Sequence, residues 1–168
     1  METSNKNPEL SGKKGIKQVV LTYGTFDLFH VGHVRLLKRL KALGDYLIVG
    51  VSTDEFNAKK GKRCLIPHAQ RAEIVASSKF VDQVIPEHDW GQKKADIIKY
   101  EVDVFSMGDD WEGQFDELKE LCSVQYLPRT TDISTTEIKQ LLTEFDSKKI
   151  EKIKSALDLL QEISKDFS

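Results

Sequence analysis

Residues 45–51 are apolar on both of the faces that a strand would present, and a strand can hide two apolar faces only inside a sheet covered on each side. Residues 18–24 form a second β-rich run, closed by Gly24. Between the two, Val34, Leu36, Leu37, Leu40 and Leu43 recur at helical spacing over residues 31–43, and Gly44 supplies the stop. A strand, a helix and a strand in that order make a crossover unit, and the chain keeps alternating. The pattern predicts helices over 68–77, 92–100, 115–121 and 134–142, and strands over 81–85, 102–107 and 124–127. Residues 52–62 read as a polar connection. The expected fold class is α/β: a Rossmann-like parallel sheet with helices on both faces.

A chain of 168 residues suits one such domain. Residues 1–17 are polar and read as a flexible leader, 18–145 as the domain that carries the chemistry, and 146–168 as a C-terminal amphipathic helix. In that helix Ile150, Ile153, Leu157, Leu160 and Ile163 fall at helical spacing, a stripe expected to pack on the body or on a second subunit. No apolar run approaches the ~20 residues of a membrane span, and the leader has no signal-peptide core. Cys64 and Cys122 are too few and too far apart for a disulfide framework or a thiolate metal site, which fits a cytoplasmic protein. A net charge of -2 gives no general attraction to nucleic acid or to anionic lipid. Any anion site therefore has to be built from local cations.

The familiar phosphate-binding fingerprints, G-x-x-x-x-G-K-[ST] and G-x-G-x-x-G after the first strand, are missing. Residues 25–33 offer a replacement. His30 and His33 are three apart at the start of a helix, where amide N–H groups and the dipole favour anions, and Gly32 leaves room for close approach. The pair reads either as surface histidines opening a helix or as donors to a phosphoryl group. Residues 129–136 offer a second cradle. Ser134 and Glu137 alone make a capping box, but Arg129 with Thr130, Thr131, Ser134, Thr135 and Thr136 adds an arginine fork and hydroxyl donors. Both segments follow strands, at the edge where open parallel sheets bind ligands. Lys59, Lys60, Lys62 and Arg63 form a basic run that reads as a solvated loop or as a mobile arm closing over phosphates, with Gly61 as its bending point. If that backbone were extended, Lys60 and Lys62 would lie on one side.

With its H-x-G-H at 30–33 and R-T-x-x-I-S-T-T at 129–136, the chain resembles the cytidylyltransferase family of nucleotidyltransferases. The likeness runs from about Val19 to Leu142 and takes in residues 23–27, 44–46, 52–57, 84–87 and 107–113. It implies transfer of CMP from CTP to a phosphorylated alcohol, glycerol 3-phosphate for preference, with pyrophosphate leaving. It further implies that Thr25, Phe26, His30, His33, Lys62, Asp110, Arg129, Thr130, Thr131, Ile133, Ser134, Thr135 and Thr136 contact or line the CTP site. Lys60, Arg71 and Lys93 would serve the acceptor, and His30, His33, Lys60, Lys62 and Arg129 would carry catalysis. A homodimer, Mg²⁺ held mainly by the CTP phosphates, and a CDP-glycerol product used in teichoic-acid or capsule-type polymers are also implied. Asp132 departs from the family motif, which usually has glycine there, and places a negative charge near the triphosphate. Rival readings are a transferase acting on phosphocholine, phosphoethanolamine or a sugar phosphate, or using ATP, and a nucleotide-binding regulator without catalysis.

Overall fold

In the computed structural model, which describes residues 18–130 and 134–166 with side chains to 156, five strands form one parallel sheet. They are β1 (Val19–Gly24), β2 (Tyr46–Ser52), β3 (Gln83–Glu87), β4 (Val104–Gly108) and β5 (Ser123–Leu127), in spatial order β3-β2-β1-β4-β5. The helices are α1 (Val31–Lys41), α2 (Asp54–Lys59), α3 (His68–Ala76), α4 (Gln92–Lys99) and α5 (Thr135–Asp166), with 3₁₀ turns at Asp109–Trp111 and Asp116–Glu120. The chain divides into two compact units, Met1–Asp132 and Ile133–Ser168. The leader, residues 1–17, lies outside the described residues, as do Thr131, Asp132 and Ile133 and the side chains of Leu157, Leu160 and Ile163.

The period-two alternation of the strands sorts the first unit's core into two layers. Val19, Leu21 and Tyr23 of β1, with Tyr46 and Ile48 of β2, pack with Ile97, Tyr100, Phe115 and Leu118. Val20 of β1, with Leu47, Val49 and Val51 of β2, packs with Leu37 and Leu40 of α1 and Val75 of α3. The sheet is thus covered on both faces, as the doubly apolar run over 45–51 requires. The α/β expectation holds.

Four elements differ from the pattern-based expectation. Residues 54–59, expected as part of a polar connection, form α2: the Thr53 hydroxyl accepts from the Phe56 amide, Asp54 and Glu55 occupy the first turn, and Gly61 at φ +67 ends it. Strand β3 begins two residues later than 81, because the Val81 amide closes the turn leaving α3 and the Asp82 carboxylate accepts from the Leu47 amide. Pro86 is tolerated within it because β3 is an edge strand. Residues 116–120 are 3₁₀ rather than α. Residues 135–166 form one unbroken helix rather than two segments, since no glycine or proline interrupts them. Along it Leu141, Leu142, Phe145, Ile150 and Ile153 are exposed.

The sheet also fixes where Tyr23 can lie. A Cβ added at Gly50 would sit 2.1 Å from the Tyr23 ring, so the ring rests directly on the glycine backbone of β2. From there its hydroxyl donates to Asp96 Oδ2 at 2.7 Å. Gly50→Ala is expected to displace Tyr23 and to lower unfolding stability by about 1–3 kcal/mol, measurable by urea titration. An unchanged midpoint would show that the strand can shift to admit a methyl group.

Candidate active site

The sequence places its chemical side chains on the loops after strands, and the parallel sheet gathers these at one edge. Three clusters stand there.

The first follows β1. Phe26 and Leu28 both hold left-handed backbone, φ +53 and +47, conformations that cost a non-glycine residue energy and persist only under constraint. Asp27 supplies that constraint. Its buried carboxylate accepts from the amides of Leu28, Leu65 and Ile66 at 3.0–3.2 Å, fastening this loop to the one before α3. The turn delivers His30 to the N-cap of α1, where its Nδ1 accepts from the Gly32 amide at 3.1 Å and the His30 amide donates to His33 Nδ1 at 3.3 Å. The two imidazoles stack with centroids 4.0 Å apart, so the three-residue spacing does put them on one face. The Gly32 amide, expected to be open to an anion, is instead occupied by His30.

Phe26 and Phe29 pack on the His33 ring, each with centroids 5.3 Å away. Burial first, and then the neighbouring His30, lower the His33 pKa to about 4, with Asp27 opposing. His33 is therefore a neutral imidazole at pH 7. With Nδ1 accepting from a backbone amide, its proton sits on Nε2, which makes it a neutral donor.

The second cluster joins β2, β3 and α4. Glu87, at the end of β3 and 3% exposed, accepts from Lys93 Nζ at 2.6 Å and from the Ser52 hydroxyl at 2.5 Å, with Lys60 Nζ at 3.9 Å. Lys60 also donates to Ser52 Oγ at 3.1 Å. Both ammonium groups lie over aromatic faces: Lys60 over Phe56 and Trp90, Lys93 over Tyr23, Trp90 and Phe115. Desolvation lowers the Lys60 pKa, Glu87 opposes, and Lys62 and Lys93 add to the lowering. Beside this cluster Trp90, Lys93, Trp111, Gln114 and Phe115 line an open cavity of about 430 Å³.

The third cluster is exposed. Arg129, after β5, pairs through Nε and Nη2 with Asp110 Oδ2 in the 3₁₀ turn after β4. Arg39 of α1 donates to Pro128 O at 2.8 Å and to Thr130 Oγ1 at 3.3 Å, fixing this segment to the helix that begins with the histidines.

Among the residues singled out from sequence, Thr25, Phe26, His30, His33, Lys60, Lys93, Asp110, Arg129 and Thr130 all lie on these loops or at the starts of the helices that follow. Three are placed otherwise than expected. Lys60 and Lys62 do not share a side of an extended strand. Lys60 is the C-cap of α2 and Gly61 turns the chain, with the Lys62 amide on Asn57 O at 2.9 Å, so Lys60 reaches Glu87 while exposed Lys62 lines a separate cavity of about 470 Å³ over residues 61–67. Arg71, expected at the acceptor, is wholly buried. Its guanidinium donates to the carbonyls of Thr25, Ser52 and Ile66 and to Asp54, so it frames the site from beneath. Ser134, Thr135 and Thr136 belong to the second unit, where the Ser134 hydroxyl caps α5 by accepting from the Glu137 amide at 3.1 Å. Thr131 and Ile133 lie outside the described residues.

Sequence reasoning assigned no role to Asn57, Asp27 or Glu87. Asn57 is buried, accepting from Thr25 Oγ1 at 3.0 Å and donating to Ser52 O.

Comparison with known proteins bears on the family. A cytidylyltransferase-like family model matches residues 21–141. Glycerol-3-phosphate cytidylyltransferase of Bacillus subtilis is 59% identical over 121 residues, 72% of this chain and 94% of its own length. The protein of that name from Staphylococcus aureus is 56% identical over 129 residues, 77% of this chain and 98% of its own. Among solved structures, a lipopolysaccharide core biosynthesis protein from Thermoplasma volcanium superposes with a TM-score of 0.60 at 28% identity, over 71% of this chain and all of that one.

The His33 environment has a measurable sign. Because its folded pKa lies below the unfolded value of about 6.5, the unfolded chain binds more protons between the two. That share of stability is complete above pH 6.5 and is lost as pH falls towards 4, by up to about 3 kcal/mol. Thermal melts from pH 7 to pH 4.5 should show this loss in the wild type and a smaller one in His33→Ala. Identical pH dependence in both proteins would place the His33 proton elsewhere.

Proposed function

We propose that this chain, which belongs to the cytidylyltransferase-like family, is a glycerol-3-phosphate cytidylyltransferase, moving CMP from CTP to glycerol 3-phosphate to give CDP-glycerol and pyrophosphate. The observation that carries this reading is the pairing, on adjacent loops of one sheet edge, of a stacked imidazole pair with two lysines packed against aromatic rings. A phosphate monoester oxygen is already a nucleophile at neutral pH. It attacks the α-phosphorus of CTP, the bond from that phosphorus to the bridging oxygen breaks, and the electron pair leaves with pyrophosphate. No strong base is required, so the protein supplies alignment and charge.

In this reading Lys60 and Lys93 draw in the acceptor phosphate. His30 and His33 present Nε2–H donors to the α-phosphoryl group, whose charge shifts as the new bond forms. Arg129 exchanges its exposed pair with Asp110, worth little in water, for a CTP phosphate. Lys62 approaches the same phosphates from its own cavity. Arg71, beneath them, keeps the Thr25 and Ser52 backbones in register.

Mg²⁺ belongs to the reading as a counter-charge held by the CTP phosphates, since no three His, Cys, Asp or Glu side chains form a metal-ligating group among the described residues. The enzyme is taken to be a cytoplasmic homodimer whose product feeds teichoic-acid or capsule-type polymers. No helix among the described residues is long and apolar enough to cross a membrane.

A screen of pyrophosphate release tests donor and acceptor together: CTP or ATP against glycerol 3-phosphate, phosphocholine, phosphoethanolamine and a sugar phosphate. Release with CTP and glycerol 3-phosphate at least about tenfold above every other pair is expected; no release with any pair would leave a binding protein. In the same assay His30→Ala and His33→Ala should each lower kcat by about 10²-fold or more with little change in the KM for CTP. Near-normal turnover in both would return the pair to a helix-capping role.

A further inference from the structure

Two lysines packed against aromatic rings, Lys93 buried and Lys60 partly so, should repel one another, yet the fold places them within reach of the same carboxylate. Glu87 sits on edge strand β3, where Lys93 of α4 meets Oε1 at 2.6 Å and the Ser52 hydroxyl meets Oε2 at 2.5 Å. Lys60, at the end of α2, lies 3.9 Å from Oε2 and shares Ser52 with it. We infer that Glu87 is a positioning residue for the acceptor: its carboxylate holds the Lys60 and Lys93 ammonium groups side by side, so that a phosphate monoester dianion meets both at once. The inference rests on the reading of this site as the acceptor end of a cytidylyltransferase.

Chemistry favours this over a purely structural ion pair. A structural pair needs one cation, and a second, partly buried lysine brought to the same carboxylate leaves the three side chains with a net charge of one positive unit. An arriving dianion restores balance, and each lysine can turn from Glu87 to phosphate without losing a charged partner. The other ionisable groups facing the cluster do not supply the missing charge. Lys62 and Lys93 act on Lys60 in the destabilising direction, and Cys64 opposes them weakly. The Tyr23 hydroxyl is tied to Asp96 and its pKa is raised by burial first, so it stays a neutral phenol. The Asp96 carboxylate also accepts from Tyr23 and from Gln92 Nε2 at 2.7 Å.

The test is the pH dependence of the acceptor KM in Glu87→Gln, which keeps shape and removes charge. At pH 6.5 the KM for glycerol 3-phosphate should remain within about threefold of wild type. At pH 8.5 it should rise about tenfold or more, a shift of the alkaline limb by about one unit, while the KM for CTP holds steady at both values. Glu87→Asp should restore the wild-type limb, because it keeps the charge. Equal losses at both pH values for both substrates would reduce Glu87 to a packing residue. If Glu87→Gln fails to fold, titration of the Lys60 and Lys93 ε-methylene NMR signals in the wild type decides: protonation through pH 8 supports the inference, and deprotonation of either below pH 8 overturns it. Wild-type protein inactive with glycerol 3-phosphate at every pH overturns the proposed function itself. An active wild type whose alkaline limb is matched by Glu87→Gln overturns this inference alone.

Discussion

The catalytic edge depends on one buried guanidinium. Arg71 is fully enclosed, yet nothing about it is uncompensated: its donors reach the carbonyls that close β1 and β2, the carbonyl of Ile66 and the carboxylate of Asp54. A planar fork with fixed donor directions can hold three separate backbone segments in one geometry, which a lysine could not. Those segments lead to the histidine loop, the lysine cluster and the basic turn. The relative position of the three is therefore set beneath the site by a residue that need not touch substrate. Asp27 acts in the same layer, tying residues 27–28 to residues 65–66 and holding the two left-handed residues of the histidine loop.

On that frame the fold separates two kinds of electrostatics. His33 is kept neutral by burial and then by the neighbouring His30, so it offers a directed hydrogen bond without long-range pull. The lysine cluster offers charge, held in place by Glu87 and by aromatic faces that accept an ammonium group. For transfer between two phosphates the separation is useful. Charge is needed to bring mutually repelling anions together, whereas directed donors are needed where bonding changes at the α-phosphorus.

Much of this was legible in the sequence for physical reasons. Doubly apolar strands and the glycine stop at Gly44 report the sheet, because burial on two faces leaves a pattern that no exposed element shares. The His30 and His33 spacing reports a shared face because helix geometry is local. The basic run did not report its own conformation. Its lysines look alike in sequence, and what separates Lys60 from Lys62 is one left-handed glycine at the end of a helix too short to leave a periodic signal. Thr53, followed by two acidic residues, was the readable cap. Arg71 and Lys93 were chosen by resemblance alone. Their burial follows from partners 17 and 6 residues away, Asp54 and Glu87, and from rings brought together by the sheet order. Nothing local marks Glu87 as different from a surface glutamate.

The same contrast explains where sensitivity to pH should concentrate. A neutral imidazole with a pKa of about 4 has already lost its proton across the physiological range, so it contributes no titration there. Lys60, lowered by burial, moves in the opposite sense, towards neutral pH from above, and it is restrained chiefly by the carboxylate beside it. The window in which both devices work is bounded below by protonation of His33, which would break its acceptance of the His30 amide, and above by deprotonation of Lys60. Its width depends on two carboxylates that need not touch substrate. Asp27, whose negative charge raises the His33 pKa, moves the lower bound up, and Glu87 moves the upper bound up. The aromatic residues that make the site dry thus perturb both ends, and the acidic residues behind them decide how far each end travels.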